Sequence, residues 1–183
     1  MEMKKINDII RDKRGSSFPL IAAAVLTVIL IMCGLSEYIR LLIISQGVRD
    51  ALQSAVISTI NENYDNVYNC IREGYAGAYM PNGTEWADST DYGDIYSRLD
   101  KALGLKSENG FHVKYSGKKQ EFILSGLSLD INNPPIAPYE KFNTNSLLAN
   151  AEIKLEVPVS FAGKALLPLQ IKLRVQARYM PMF

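Results

Sequence analysis

The sequence is poor in the residues that most often carry metal or covalent chemistry. Its 183 residues include two cysteines and one histidine. Cys33 and Cys70 stand alone, outside any CxxC or Cys/His spacing, which excludes a sulfur-ligated metal and favours free thiols over a disulfide. His112 is the sole histidine available as a catalytic base, and its alternating neighbours predict a solvated strand residue. We therefore predict no enzyme activity, no catalytic residue, no metal and no cofactor.

The chain also has no large excess of positive or negative charge. The formal net charge is +1, which gives no overall attraction to nucleic acid, so no nucleic-acid partner is predicted. Asp88, Asp91 and Asp94 follow one another at spacings of three, but the segment lacks the alternating ligands and closing Glu of an EF-hand loop. Acidic residues at the positive end of a helix are the better interpretation.

Residues 15–36 contain no charged side chain. As a helix rising ~1.5 Å per residue, this run is about 33 Å long, enough for a hydrocarbon core of ~30 Å. Pro19 falls in the first helical turn, where its missing N–H costs nothing. The alternative of a cleaved signal peptide is weakened by the length of the run and by the absence of an A-x-A site. A transmembrane helix over 16–36 is predicted.

The tail before this run is basic, because five Lys or Arg outnumber three acidic residues over positions 1–14. By the positive-inside rule the N-terminus is cytoplasmic and the remainder is exported, which predicts a single-pass plasma-membrane protein. Four parts follow from this: a basic cytoplasmic tail over 1–15, a transmembrane helix over 16–36, an extramembrane continuation over 37–60 and an exported α+β domain over 61–183.

The helix is predicted to continue without a break from about Ser17 to Ile60. An apolar stripe recurs at helical spacing beyond the span. Its residues are Val48, Leu52, Ala55, Val56, Thr59 and Ile60. Two partners for this stripe stay open, the chain's own domain and neighbouring subunits. Glu37 and Arg40, at i and i+3, can pair at the outer boundary, either as a boundary marker or as contacts in an assembly. Gly47 marks a flexible point or a close helix crossing.

The exported domain is predicted to begin with helices. One helix is expected over Glu62–Ala78, a loop over Met80–Gly93, and a short helix from Thr90 or Asp91 to Leu105 that ends or frays at Gly104. Six of the ten tyrosines fall in this middle region, where they serve either core packing or a subunit or ligand surface.

Beyond Asn109-Gly110 the hydrophobic period changes from 3.6 to 2, which indicates strands. Four strands are predicted, over 111–116, 121–131, 152–161 and 168–179. Alternation along them predicts an antiparallel sheet with one buried face. The fold class is thus α+β: a long N-terminal transmembrane and amphipathic helix, a helical middle and a C-terminal antiparallel sheet of about four strands.

Three segments together carry a family resemblance. A basic stretch ends at Lys13-Arg14-Gly15, an apolar helix follows, and then come GLSEYIRL over 34–41 and QGVRDA over 46–51. This pattern, over roughly residues 11–60, resembles the TadE-like proteins, which are minor pilins or pseudopilins of the tight-adherence (Flp, type IVb) pilus system.

The resemblance implies a pilus-biogenesis component inserted in the plasma membrane. It implies partners among other pilin-like subunits and assembly-platform proteins, with a homo-oligomer as one form. It also implies cutting by a prepilin peptidase at Gly15, which leaves Ser16 first. These pilins usually carry a Glu a few residues after that glycine, and this chain has SSFPL over 16–20 instead, so a permanently anchored accessory protein is the alternative form.

The leading functional hypothesis is a membrane-anchored, pilin-like structural component of a pilus, secretion or conjugation apparatus. It would assemble through its N-terminal helix, with Glu37, Arg40 and Arg49 as assembly contacts. The alternative is a membrane-tethered extracellular binding module that does not polymerise and whose sheet and tyrosine-rich middle capture a ligand.

Overall fold

The computed structural model describes residues 18–65, 77–135, 146–161 and 164–179. Within these ranges the protein is α+β, as predicted, with a long N-terminal helix, one short helix and an antiparallel sheet of five strands. Gly15, Ser16, Cys70 and most of the helix predicted over Glu62–Ala78 lie outside the described residues.

A single 48-residue helix, α1 (Phe18–Asp65), opens the described chain. The sequence supplies no breaker after Pro19, so the transmembrane and amphipathic segments form one rod, as predicted, and the rod continues five residues past Ile60. Of the second helix predicted over Glu62–Ala78, the described Glu62–Asp65 belong to α1, and Gly77 and Ala78 are not helical, so the prediction is wrong at both described ends. A Cβ added to Gly47 would meet nothing within 4 Å, so Gly47 is not a close crossing with any other described part of the chain.

The main sheet has five antiparallel strands in the order β3-β4-β5-β6-β9. Their bounds are Lys106–Glu108 (β3), Phe111–Ser116 (β4), Lys119–Asn132 (β5), Leu148–Val157 (β6) and Leu169–Arg178 (β9). The four predicted strands are all present, the first with the predicted ends and the other three with shifted ends. The fifth is the short edge strand β3, whose three exposed residues carry no alternating pattern that could reveal it.

Two small hairpins flank the main sheet. The first joins β1 (Tyr79–Asn82) to β2 (Glu85–Asp88), and the second joins β7 (Ser160–Phe161) to β8 (Lys164–Ala165). The loop predicted over Met80–Gly93 is therefore wrong in part. The hairpin turns through Gly83 and Thr84, and a glycine is favoured first in such a two-residue turn because it readily adopts the positive φ required, here +67°.

The short helix α2 (Ile95–Leu103) begins later than predicted. The Asp94 side chain caps it by accepting a hydrogen bond from the Ser97 N–H at 2.9 Å, which fixes Asp94 as the residue before the first turn. Gly104 ends the helix in a left-handed conformation with φ of +63°, as predicted. Asp91 and Asp88 instead accept hydrogen bonds within the preceding turn, from Gly93 and Thr90.

The core lies between one face of the sheet and the two helices. The apolar stripe of α1 is buried in it, so its partner is the chain's own domain. Leu52 and Val56 of α1, Leu99 of α2 and Leu155 of β6 have no exposed surface. Gly126 has a φ of +60° where the pairing of β5 with β6 shifts register, so the inward side chains change parity at this bulge.

His112 lies on the face of β4 that the sequence analysis assigned to solvent, and that assignment is wrong. Its register partner is the fully buried Leu124, so both face the helices. The imidazole Nδ1 lies 2.7 Å from an Asp100 carboxylate oxygen, and the ring stacks on Tyr96 at 4.0 Å between centroids. Helix α2 supplies polar and aromatic partners there, which alternation along a strand does not reveal.

The end of the domain farthest from Phe18 is closed by a buried amide. The Asn63 side chain of α1 accepts a hydrogen bond from the Asp91 N–H at 2.7 Å and donates one to the Asp91 carbonyl at 2.6 Å. Gly77 and Leu147 lie at the same end, because a Cβ on Gly77 would meet Leu147 at 2.9 Å and the Asn63 carbonyl at 3.9 Å. The other end of the domain therefore faces the first half of α1.

Candidate functional site: the joint between helix and domain

Helix α1 has two parts with opposite surroundings. In the apolar half, residues 18–43, the most apolar stretch of 18 residues is 0% buried. The helix is long and apolar enough there to cross a membrane. In the domain half, residues 44–65, burial begins at Ile44 and continues through Val48 and Leu52. Glu37 and Arg40 sit where these two surroundings meet.

Glu37 and Arg40 form a two-pronged ion pair, as their i,i+3 spacing predicts. The Arg40 guanidinium donates to one Glu37 carboxylate oxygen from Nε at 3.0 Å and to the other from Nη2 at 2.7 Å. Such a fork fixes both side chains in orientation, which a lysine at position 40 could not do.

The fork also binds the backbone of the segment that follows β6. Arg40 Nη2 donates to the Pro158 carbonyl at 2.7 Å, and the Ser160 N–H donates to Glu37 Oε1 at 3.4 Å. Pro158 has no N–H for the sheet ladder, so β6 ends before it and the chain turns toward α1. The strand predicted over 152–161 is broken at this point for the same reason. We call these four residues the joint: Glu37, Arg40, Pro158 and Ser160.

The joint satisfies two charges beside a large apolar surface. Side-chain exposure is 20% for Glu37 and 37% for Arg40. An unpaired charge this close to an apolar span would be costly, and pairing within the chain removes that cost. The sequence pattern predicted the pair but not its backbone partners, because a carbonyl and an N–H leave no mark in the sequence.

Arg49, the third predicted contact, is not part of the joint. It lies nine residues beyond Arg40, about 13.5 Å along the helix at ~1.5 Å per residue, and its side chain is exposed. It lines an open groove of about 660 Å³ with Gln53 and polar residues of β5, β6 and β9. In that groove Glu152 is bound by Arg174 at 2.6 Å and by Lys172 at 3.4 Å. The hydrogen bond from Arg174 lowers the pKa of the Glu152 carboxyl.

Nothing in the described part of the chain assembles a metal centre. Across residues 18–65, 77–135, 146–161 and 164–179, no group of three or more His, Cys, Asp or Glu side chains is placed to hold an ion. Cys33 is a free, exposed thiol on the apolar half of α1.

Comparison with known proteins gives no assignment: no family model, curated protein or solved structure matches the chain.

Proposed function

We propose that this chain is a membrane-anchored, pilin-like structural subunit of a pilus, secretion or conjugation apparatus, and that it assembles through its N-terminal helix. The observation that carries the proposal is the continuity of α1, one rod whose first half is apolar and uncovered and whose second half is built into a folded domain. An uncovered apolar helix needs a bilayer or other helices around it. A pilin-like subunit uses both in turn.

The basic tail and the charge-free run support one orientation. In it the N-terminus is cytoplasmic, α1 crosses the plasma membrane over 16–36, and the domain lies outside the cytoplasm. The TadE-like pattern over residues 11–60 supports the same arrangement, and partners would then be other pilin-like subunits, platform proteins or further copies of this chain.

A second apolar stripe, which starts at the end of the span and continues past it, supports assembly. Several large side chains between residues 35 and 43 point away from the domain and are exposed: Leu35, Tyr38, Ile39, Leu42 and Ile43. They recur at spacings of three and four, as in helices that pack on other helices. The domain does not cover this stripe, so a neighbouring subunit can.

The joint then has a positioning role in assembly. A helical polymer requires every subunit to hold its domain at the same angle to its helix, and the four hydrogen bonds of the joint fix that angle at Glu37 and Arg40. Both residues act on assembly through geometry, because their hydrogen-bonding groups already have partners within the chain.

Single-cysteine crosslinking tests assembly through the helix. In a chain with Cys33→Ser and Cys70→Ser, we compare Ile39→Cys with Met80→Cys, which has nearly the same exposure, 51% against 50%, but lies on the hairpin at the far end of the domain. Oxidation of native membranes and of sheared surface material should give dimers or mixed subunit pairs through position 39 and none through position 80. Monomers alone at both positions would contradict assembly through the helix.

The alternative is a tethered binding module, and the polar groove at Arg49 is the observation that favours it. Arg49, Asp130, Glu152 and Arg174 line an opening large enough for a small polar ligand. Arg49→Ala separates the two functions. Loss of ligand binding with normal crosslinking at position 39 would show a ligand site on an assembling subunit. Loss of ligand binding in a chain that never crosslinks would support the tethered module.

A further inference from the structure

Two neighbouring leucines stand out of the domain next to the joint. Leu166 is 54% exposed and Leu167 is 90% exposed, the highest value of any large apolar side chain in the described ranges. Neither contributes to the core. Exposed leucines side by side signify a contact with something apolar outside the domain.

Three hydrogen bonds hold this leucine pair at the level of Glu37. The Leu166 N–H donates to the Val159 carbonyl at 2.9 Å. Val159 lies between Pro158, which accepts from Arg40, and Ser160, which donates to Glu37. The pair is thus tied to the first charged residue after the apolar run of α1.

Near the joint, the segment after β6 also lies beside residues of α1 that precede Glu37. Ser160 lines an open recess of about 410 Å³ together with Met32, Cys33 and Ser36 of α1. Cys33 is one helical turn inside the predicted end of the span. The leucine pair therefore emerges at the depth where lipid headgroups meet acyl chains when α1 is inserted.

Three exposed lysines lie at the same end of the domain as the leucine pair. Lys164 is exposed two residues before Leu166. Lys118 and Lys119 are exposed at the β4–β5 turn, and the register of Ile123 opposite Glu156 places the start of β5 at the same end as Val157. Exposed apolar side chains with lysines at the same end of a domain are typical of a surface that enters the lipid interface, where the amines reach anionic headgroups.

We propose that Leu166 and Leu167 insert into the outer lipid interface beside α1 and give the domain a second membrane contact. The proposal rests on the proposed function in that α1 must be inserted in the bilayer. Depth, apolarity and the lysines at the same end of the domain favour the bilayer over a second copy of the chain as the contact. The contact would keep the domain close to the membrane until the subunit is extracted.

Depth-dependent fluorescence quenching tests the contact, because Trp86 is the only tryptophan and lies at the far end of the domain. The full chain is reconstituted in phosphatidylcholine and phosphatidylglycerol vesicles with brominated acyl chains. In the Trp86→Phe chain, a single tryptophan is placed by Leu167→Trp, by Met80→Trp as the exposed control, or by Leu26→Trp as the helix reference.

We expect Leu167→Trp to lose roughly half of its fluorescence to brominated lipid, as insertion by about 5–10 Å requires. Leu26→Trp should be quenched more strongly, and Met80→Trp should keep its fluorescence although tryptophan carries the same preference for interfaces there. Replacing Lys164 by Glu in the Leu167→Trp chain should reduce the quenching.

Three results would overturn the proposal in different ways. Quenching at position 26 without quenching at position 167 would show that α1 is inserted and the domain stands clear of lipid, which removes the second contact alone. A disulfide between copies through Leu167→Cys, with position 167 unquenched, would assign the pair to a second copy instead. Absence of quenching at position 26 would remove the membrane anchor and the second contact together.

Discussion

The two halves of α1 are built from the same aliphatic residue types and have opposite surroundings. In the apolar half most large side chains are exposed, whereas in the domain half the main apolar stripe is buried against the sheet and α2, although Ile57 outside it is 42% exposed. The difference lies in arrangement: a uniformly apolar segment requires cover from outside the chain, and a periodic one brings its own. Glu37 and Arg40 lie near the boundary between the two halves.

The largest difference between the halves should appear when one leucine is shortened in each. Leu52→Ala removes a side chain with no exposed surface and should lower the free energy of unfolding by about 2–5 kcal/mol. Leu26→Ala, at a position 61% exposed to whatever surrounds the helix, should change the unfolding of the domain by less than about 0.5 kcal/mol. Chemical unfolding of the full chain in detergent micelles measures both. Equal losses would mean that the two halves unfold as one unit.

A smaller effect is expected at the joint. Arg40→Ala removes three hydrogen bonds to partly exposed partners, so we expect a loss of about 1 kcal/mol after allowance for solvent screening. Hydrogen exchange at the Leu166 amide should become faster while exchange at Ile153, in the centre of β6, stays slow. Arg40→Lys keeps the charge but lacks the fork, so its loss of stability and its exchange rate at Leu166 should lie between those of the unchanged chain and Arg40→Ala. Unchanged exchange at Leu166 would show that the joint does not hold the β7–β8 hairpin.

The packing on the domain half of α1 can be weakened by destabilising α2, because α2 contributes Leu99 to the same core. Asp94→Ala removes the N-cap and should cost about 1 kcal/mol in the free energy of unfolding. Asp130→Ala, an exposed carboxylate on β5 away from any helix end, is the matched control and should change stability by less than about 0.5 kcal/mol. A cap variant as stable as the control would remove the stated role of Asp94.

The smallest expected effect is a difference in acid sensitivity between the folded domain, which contains Asp88, and the apolar half of α1. Burial raises the pKa of Asp88, but hydrogen bonds from Thr90 and Asn133 outweigh it, so the folded pKa lies below the ordinary value of 3.8. The unfolded chain then binds the proton more tightly. This contribution to stability is fully present above about pH 4 and is lost as the pH falls through the lowered folded value. Asp88→Asn should flatten this part of the acid-unfolding curve, while the apolar half, which has no carboxylate before Glu37, keeps its helicity. An unaltered curve would contradict the role of Asp88.

Periodicity predicted the parts of the fold that repeat. The long helix, the capped short helix and four of the five strands follow from spacings of 3.6 and 2 and from Asp94 and Gly104. The strand β3 and the β1–β2 hairpin were missed because β3 is too short to show a period and the mostly exposed β1 and β2 have no buried face to mark one. His112 was misplaced because the face of a strand depends on what packs on it.

The candidate site was predictable in its side chains and not in its geometry. The i,i+3 spacing of Glu37 and Arg40 indicated the ion pair, but the backbone groups of Pro158 and Ser160, about 120 positions away, could not be inferred. Arg49 was grouped with them by the family resemblance, and the fold places it on a separate groove. Local spacing reveals local pairs, and long-range contacts to backbone need the fold.

The most direct test of the account is the intact mass and N-terminal sequence of the chain in two fractions of its native host, membranes and sheared surface material. Assembly as a pilin-like subunit predicts that the chain is present in the sheared material and begins at Ser16. A chain that begins at Met1 and remains entirely in the membrane fraction would contradict assembly and leave a permanently anchored protein.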